Sequence, residues 1–182
     1  MKISNFNKIE NLFPLYVKSN INKLLVLGCG ELRHEMNLNA KYIFGIDWAD
    51  EKLNIAKNKS NVIAIKYDVR NIIDILCDKS FDCVVMFDFL EHLTKDDATK
   101  LLYELEKKVI NQIILFIPIQ EPIELSDLIQ KQEERKNQNL TMGYHLSYWK
   151  PEEFYNLGFI GEYSPKYHQD KNMGAVFCVK NL

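Results

Sequence analysis

The chain reads as a single α/β domain, 1–182, built on a doubly wound, mostly parallel sheet. Three observations predict it. Short apolar runs alternate with helix-like stretches from residue 23 to residue 117. The run 81–87 (FDCVVMF) is apolar at consecutive positions, as a central strand covered on both faces must be. The length of 182 residues suits one domain with a full core.

The elements follow in order. Residues 9–18 read as a helix despite Pro14, within a lead-in over 1–20. Strand one, 23–27, stops at Gly28-Cys29-Gly30; a short helix over 31–38 leads to strand two, 41–46, which ends at Asp47. A helix over 50–58 carries Leu53 and Ala56 on one side, with Asp50 as its N-cap. Strand three, 61–67, ends at Asp68, and 69–77 places Ile72, Ile73 and Leu76 at helical spacing. After strand four (81–87), Thr94 caps a long helix to Lys108, Asp97 completes a capping-box-like pair, and Leu101, Leu102 and Leu105 form its buried stripe. Strand five, 112–117, closes at Pro118. Residues 121–138 are polar, charge-rich and helical in pattern, a lid or arm within a substrate insertion over 119–150. Pro151 opens a helix through Leu157, Gly158 ends it, and 159–163 and 175–180 pair as a terminal hairpin. The expected sheet has seven strands, one of them antiparallel.

Composition narrows the function. Hydrophobic residues make up 47% and charged residues 26%, an ordinary globular balance. A net charge of -2 gives no general attraction to nucleic acid. The N-terminus is too polar for a signal peptide, and the longest apolar run, 113–119, contains a proline and is far too short to span a bilayer. Cys29, Cys77, Cys83 and Cys178 form no CxxC pair and no histidine stands at metal-like spacing, so reduced thiols, a cytoplasmic setting and no metal are expected.

The chemistry concentrates in residues 24–47, LLVLGCGELRHEMNLNAKYIFGID. A buried strand, a glycine turn and a second strand ending in a carboxylate make half of a nucleotide-binding unit: glycines admit close backbone approach, and the acid accepts hydrogen bonds from ribose hydroxyls. A dinucleotide requires a third glycine for packing at the pyrophosphate turn; here that position is Arg33, which disfavours NAD and a nucleotide-dependent oxidoreductase.

Three further stretches join LVLGCG (25–30) and FGID (44–47) of this one: KYDVRN (66–71), FDCVVMFDFLEHL (81–93) and the late HLSYWKPEEFYNLGF (145–159). Together, in this order, they resemble the class I S-adenosylmethionine-dependent methyltransferases, over roughly 24–180. The resemblance implies a Rossmann-like methyltransferase fold, S-adenosylmethionine as cofactor and S-adenosylhomocysteine as product. It implies a cofactor site of Gly28, Cys29, Gly30, Asp47, Trp48, Asp68, Val69 and Asp88, with Asp68 near the adenine amino group. Two positions depart from the pattern. Val26 stands where the family usually has an acid, and Leu32 where it often has a glycine, which would narrow the space beside the cofactor.

Each candidate has a plainer reading beside it. Asp47 could cap the next turn, Asp68 could be an N-cap, and Asp88 a loop acid. Glu91 suits a helix dipole, and His92 a local hydrogen bond. Tyr144, Tyr148 and Trp149 could pack under a loop or form a substrate wall; His145 is the best candidate for a base, ahead of Tyr167 and His168. The expected partner is a small-molecule or glycan-type acceptor, with neither membrane nor nucleic acid, and a homodimer is compatible with the sequence. A tetrad of the NPPY type, which marks amino-group methylation in the family, is absent after strand four, where the chain reads DFLE. The competing function is a non-catalytic methyltransferase-like scaffold, motivated by Val26 and Leu32.

Overall fold

The computed structural model describes residues 1–119, 145–168 and 173–182; the expected arm over 121–138 and Tyr144 lie outside them. The strands are β1 (Lys2–Ile3), β2 (Lys23–Leu27), β3 (Tyr42–Asp47), β4 (Val62–Lys66), β5 (Phe81–Phe87), β6 (Val109–Ile119), β7 (Ile160–His168) and β8 (Met173–Asn181). The helices are α1 (Phe13–Tyr16), α2 (Asp50–Ala56), α3 (Lys95–Lys108) and α4 (Pro151–Asn156). The sheet order is β1-β7-β8-β6-β5-β2-β3-β4. Pairing is parallel except where β8 runs antiparallel to both β6 and β7.

The strands alternate their side chains into two cores. Leu25, Leu27, Val84, Met86, Ile113 and Leu115 enter one layer, closed by Ala98, Leu101, Leu102 and Leu105 of α3 and by Trp149 and Phe154. Leu24, Val26, Cys83, Val85, Ile114 and Phe116 enter the other, closed by Ile9, Leu12, Phe13 and Leu53. Burial on both faces explains why the central strands read as continuous apolar runs. The Thr94 cap forms as expected: its hydroxyl accepts the Asp97 amide at 3.2 Å and donates to Asp97 Oδ2 at 2.8 Å.

Several details differ from the sequence reading, among them the helices expected over 9–18 and 69–77, which form a 3-10 turn (Ile9–Leu12) with the short α1 and a 3-10 turn (Val69–Asp74). The sheet has eight strands, because Lys2–Ile3 adds alongside Glu162 and Tyr163 of β7. Helix α2 has Ala49 rather than Asp50 as its N-cap, with no side-chain bond to its amides. The helix expected over 31–38 shrinks to a 3-10 turn, Glu35–Leu38. Leu32 adopts φ 56°, which a helix cannot hold, and its carbonyl accepts from Lys59 Nζ at 2.7 Å instead of from a later amide.

Candidate active site

Strand neighbours run outward in opposite directions from β2 and β5, so the carboxyl ends of these two strands flank the reversal point of the sheet, where open α/β folds bind ligands. The turn after β2 is built there. Gly28 (φ 70°) and Gly30 (φ 49°) both take left-handed conformations. The amides of Gly28 and Cys29 donate to the Ile46 carbonyl at 2.9 and 3.0 Å, tying the turn to β3. Asp47 locks it: Oδ2 accepts the Gly30 amide at 2.7 Å, and Oδ1 accepts Trp48 and Ala49 at 2.7 and 2.9 Å. A carboxylate has about four acceptor sites, so three amides leave about one for a ligand hydroxyl.

The two glycines differ in access. A Cβ on Gly28 would lie 2.2 Å from the Phe89 ring, so Phe89 covers that residue. A Cβ on Gly30 would meet only Lys52, at 3.8 Å, so this backbone is open to a ligand. Cys29 turns inward against Gly45, where a Cβ would come within 2.8 Å of its Sγ. Burial, followed by the charges of Asp47 and Glu35, pushes its thiol up to about 12, so it is no nucleophile at neutral pH.

A cleft of about 290 Å³ opens here, walled by Gly28–Gly30, the residues from Glu31 to Glu35, Lys52, Phe87 and Asp88. Asp88 enters from the β5 end at φ 48°, its amide donating to Phe116 at 2.9 Å. Protein packed around its carboxyl pushes the pKa to about 6, while His34 opposes the shift; the residue still reaches solvent, which moderates the effect. Glu35 is buried and likewise raised, first by desolvation. A second hollow, of about 210 Å³, lies far from the glycine turn, between Met1, Ile3, Tyr163 and α4, and brings in Glu152 as its only acid.

Not every expected site residue meets this cleft. Trp48 is 49% exposed beside Asp47. Asp68 caps the following turn and holds the Arg70 guanidinium, with Nε of Arg70 3.0 Å from Oδ1; this pairing lowers its pKa. Val69 is a core residue. Val26 and Leu32 are fully buried. The Leu32 side chain packs in the core near Gly45, and the residue also contributes to the wall of the cleft. Trp149 is core rather than wall: it stacks on Phe154 at 4.9 Å and donates Nε1–H to Ser147 Oγ at 2.9 Å.

The segment carrying His145 is pinned beside the turn after β5. The amides of Leu146 and Ser147 donate to the Glu91 carbonyl at 2.8 and 3.1 Å, and Lys95 Nζ donates to the Tyr148 carbonyl at 2.7 Å. His145 Nε2 lies 3.9 Å from Glu91 Oε1, and the His145 and His92 rings meet edge-to-face at 5.1 Å. Glu91 is 1% exposed, and among the described residues no other side chain hydrogen-bonds either carboxylate oxygen. Desolvation, then the charge of Asp88, pushes it to about 8. In sequence Glu91 suits only a helix dipole, because a contact with a residue 54 positions away leaves no local pattern. Sequence also gives no sign of Glu35, His34 and Lys52; the Glu10–His34 pair that steadies one rim joins two segments without periodicity.

Residues 24–109 match the model of a family described as a methyltransferase domain. The YcgJ protein of Bacillus subtilis has the same fold, at 10% identity, a TM-score of 0.63 and coverage of 95% of this chain and 97% of that one. A protein of Pyrococcus horikoshii matches at 20% identity, TM-score 0.63, over 95% and 88%. Magnesium protoporphyrin IX methyltransferase from Synechocystis, solved with bound S-adenosylhomocysteine, matches at 15% identity, TM-score 0.56, over 94% and 80%. No curated protein matches the chain. Residues 24–109 thus resemble the methyltransferase domain family, and the chain as a whole has the Rossmann-like fold of its methyltransferase neighbours.

Proposed function

We propose that this protein transfers a methyl group from S-adenosylmethionine to a small-molecule or glycan-type acceptor. The observation that carries this reading is the open Gly30 backbone, held by Asp47 at the reversal point of the sheet. The donor contains no phosphate, so it needs backbone approach and a hydroxyl acceptor rather than an anion cradle, and this turn offers both. Gly28, Cys29 and Gly30 would hold the donor through the backbone, and Asp47 through its remaining acceptor site. Trp48 offers an exposed indole face next to Asp47 and Asp88 a carboxylate at the opposite rim, while Asp68 and Val69 would reach the donor only beyond the cleft as it stands.

Bound S-adenosylmethionine supplies a methyl group already activated as a sulfonium. The chain must then hold the acceptor in line and exclude water, and a base is needed only where the acceptor loses a proton. His145 is the proposed acceptor-side proton group, with Tyr148 beside it and Trp149 supporting the segment from the core; Tyr144, expected on the same wall, lies outside the described residues. A small-molecule acceptor agrees with the neighbour from Synechocystis, named for magnesium protoporphyrin IX.

The second reading, a scaffold that binds without turnover, is favoured by Phe89 lying over Gly28 and by Leu32 in a glycine-like conformation. Incubation with S-adenosylmethionine and a panel of hydroxylated metabolites and glycans, followed by mass spectrometry of released S-adenosylhomocysteine, separates the two. Catalysis gives acceptor-dependent release that His145→Ala lowers by about 10²-fold or more. Donor binding with no release across the panel would favour the scaffold.

A further inference from the structure

We propose that Glu91, His92 and His145 form a binding site for one divalent transition-metal ion beside the cleft. One ligand atom from each residue lies within 4.8 Å of the others. Ligands held about 2.0–2.2 Å from a common ion stand roughly 3–4 Å apart, and the Glu91–His145 separation is already 3.9 Å. The two imidazoles stand at 80° to one another rather than stacked, so both can turn a nitrogen toward one point.

The second observation is Glu91 itself. A carboxylate that is 1% exposed, with neither oxygen hydrogen-bonded to another described side chain, is costly unless it is neutralised or paired. A dication between it and two imidazoles supplies that pairing. The surrounding backbone is set for it: Leu146 and Ser147 donate to the Glu91 carbonyl, and Ser147 Oγ lies 3.5 Å from the Leu90 carbonyl. These bonds hold two distant stretches of chain in register, the support a metal site requires.

Two imidazoles and one carboxylate suit zinc, cobalt, iron or manganese better than calcium or magnesium, which prefer all-oxygen shells. Three protein ligands also leave a coordination position open. Glu91 is three residues beyond Asp88, which walls the cleft. A hydroxyl of the acceptor in the open position would give up its proton to water more readily than when free, as zinc-bound water does. This catalytic use rests on the methyl-transfer reading and, with the ion bound, replaces proton acceptance by the His145 imidazole; the binding site itself does not rest on that reading.

The test is calorimetric titration of the chelator-stripped protein with Zn²⁺, Co²⁺ or Mg²⁺ alone, with the visible spectrum of the Co²⁺ form as a second readout. One equivalent of Zn²⁺ and of Co²⁺ should bind per chain, with Mg²⁺ at least tenfold weaker. His145→Ala and Glu91→Gln should each weaken Zn²⁺ by more than about tenfold and change the Co²⁺ bands, while Cys77→Ser changes neither. Circular dichroism establishes that each variant folds; His145→Ala alters a partly exposed side chain and decides the matter if Glu91→Gln does not fold. Absence of stoichiometric binding in the parent, or equal binding in His145→Ala, would overturn the site. S-adenosylhomocysteine binding measured with chelator present tests the methyl-donor reading separately.

Discussion

Leu32 is one of two positions at which the chain departs from the pattern it resembles, and its conformation is resolved by the structure. It takes the left-handed backbone a glycine would favour, at φ 56°, while its side chain is fully buried. Leu32→Gly would relieve about 1–2 kcal/mol of backbone strain but forfeit a buried leucine worth about 2–5 kcal/mol. The expected result of urea denaturation is a net loss centred on about 2 kcal/mol, within about 0–4 kcal/mol. Glu35 gives a second prediction. Its burial raises its folded-state pKa above 4.5, so the native state holds its proton at pH values where the unfolded chain has released it. Stability contributed by the neutral acid is therefore full below about pH 4.5 and declines as pH rises toward the folded value. The stability difference between the parent and Glu35→Gln, followed across pH, should show that decline; a flat difference would contradict it.

At the scale of elements, α3 is the clearest case of local sequence setting local structure. Thr94 satisfies an amide that would otherwise be orphaned, so Thr94→Ala should cost about 1 kcal/mol and lower Tm by about 2–4 °C. That cap, the apolar stripe of Leu101, Leu102 and Leu105, and the doubly covered β5 were legible because each depends on near neighbours in sequence. The segment after Gly30 was not: its helical pattern yields to the left-handed turn at Leu32 and to Lys59 reaching its carbonyl. Strand β1 escaped notice because two residues carry no periodicity and pair only through β7. In the candidate site, Gly28, Gly30, Asp47 and Asp88 could be found from strand ends, whereas the Glu91–His145 approach exists only once the chain returns across the sheet.

For the whole molecule, the sheet reversal between β2 and β5 organises everything else. It brings the Gly28–Gly30 turn and Asp88 to one cleft and sets the Glu91 turn beside it. Two cores pressed on the sheet make that edge rigid, and the Asp47 bonds fix the turn in advance of any ligand, so donor binding requires little reorganisation. The central claim is that this preformed edge binds a methyl donor. Calorimetric titration with S-adenosylhomocysteine tests it most directly, paired with thermal melting. One saturable site per chain is predicted, and ligand at 100 times Kd should add about 2.7 kcal/mol, raising Tm by roughly 5–10 °C. No detectable heat together with an unchanged Tm at high ligand would contradict it.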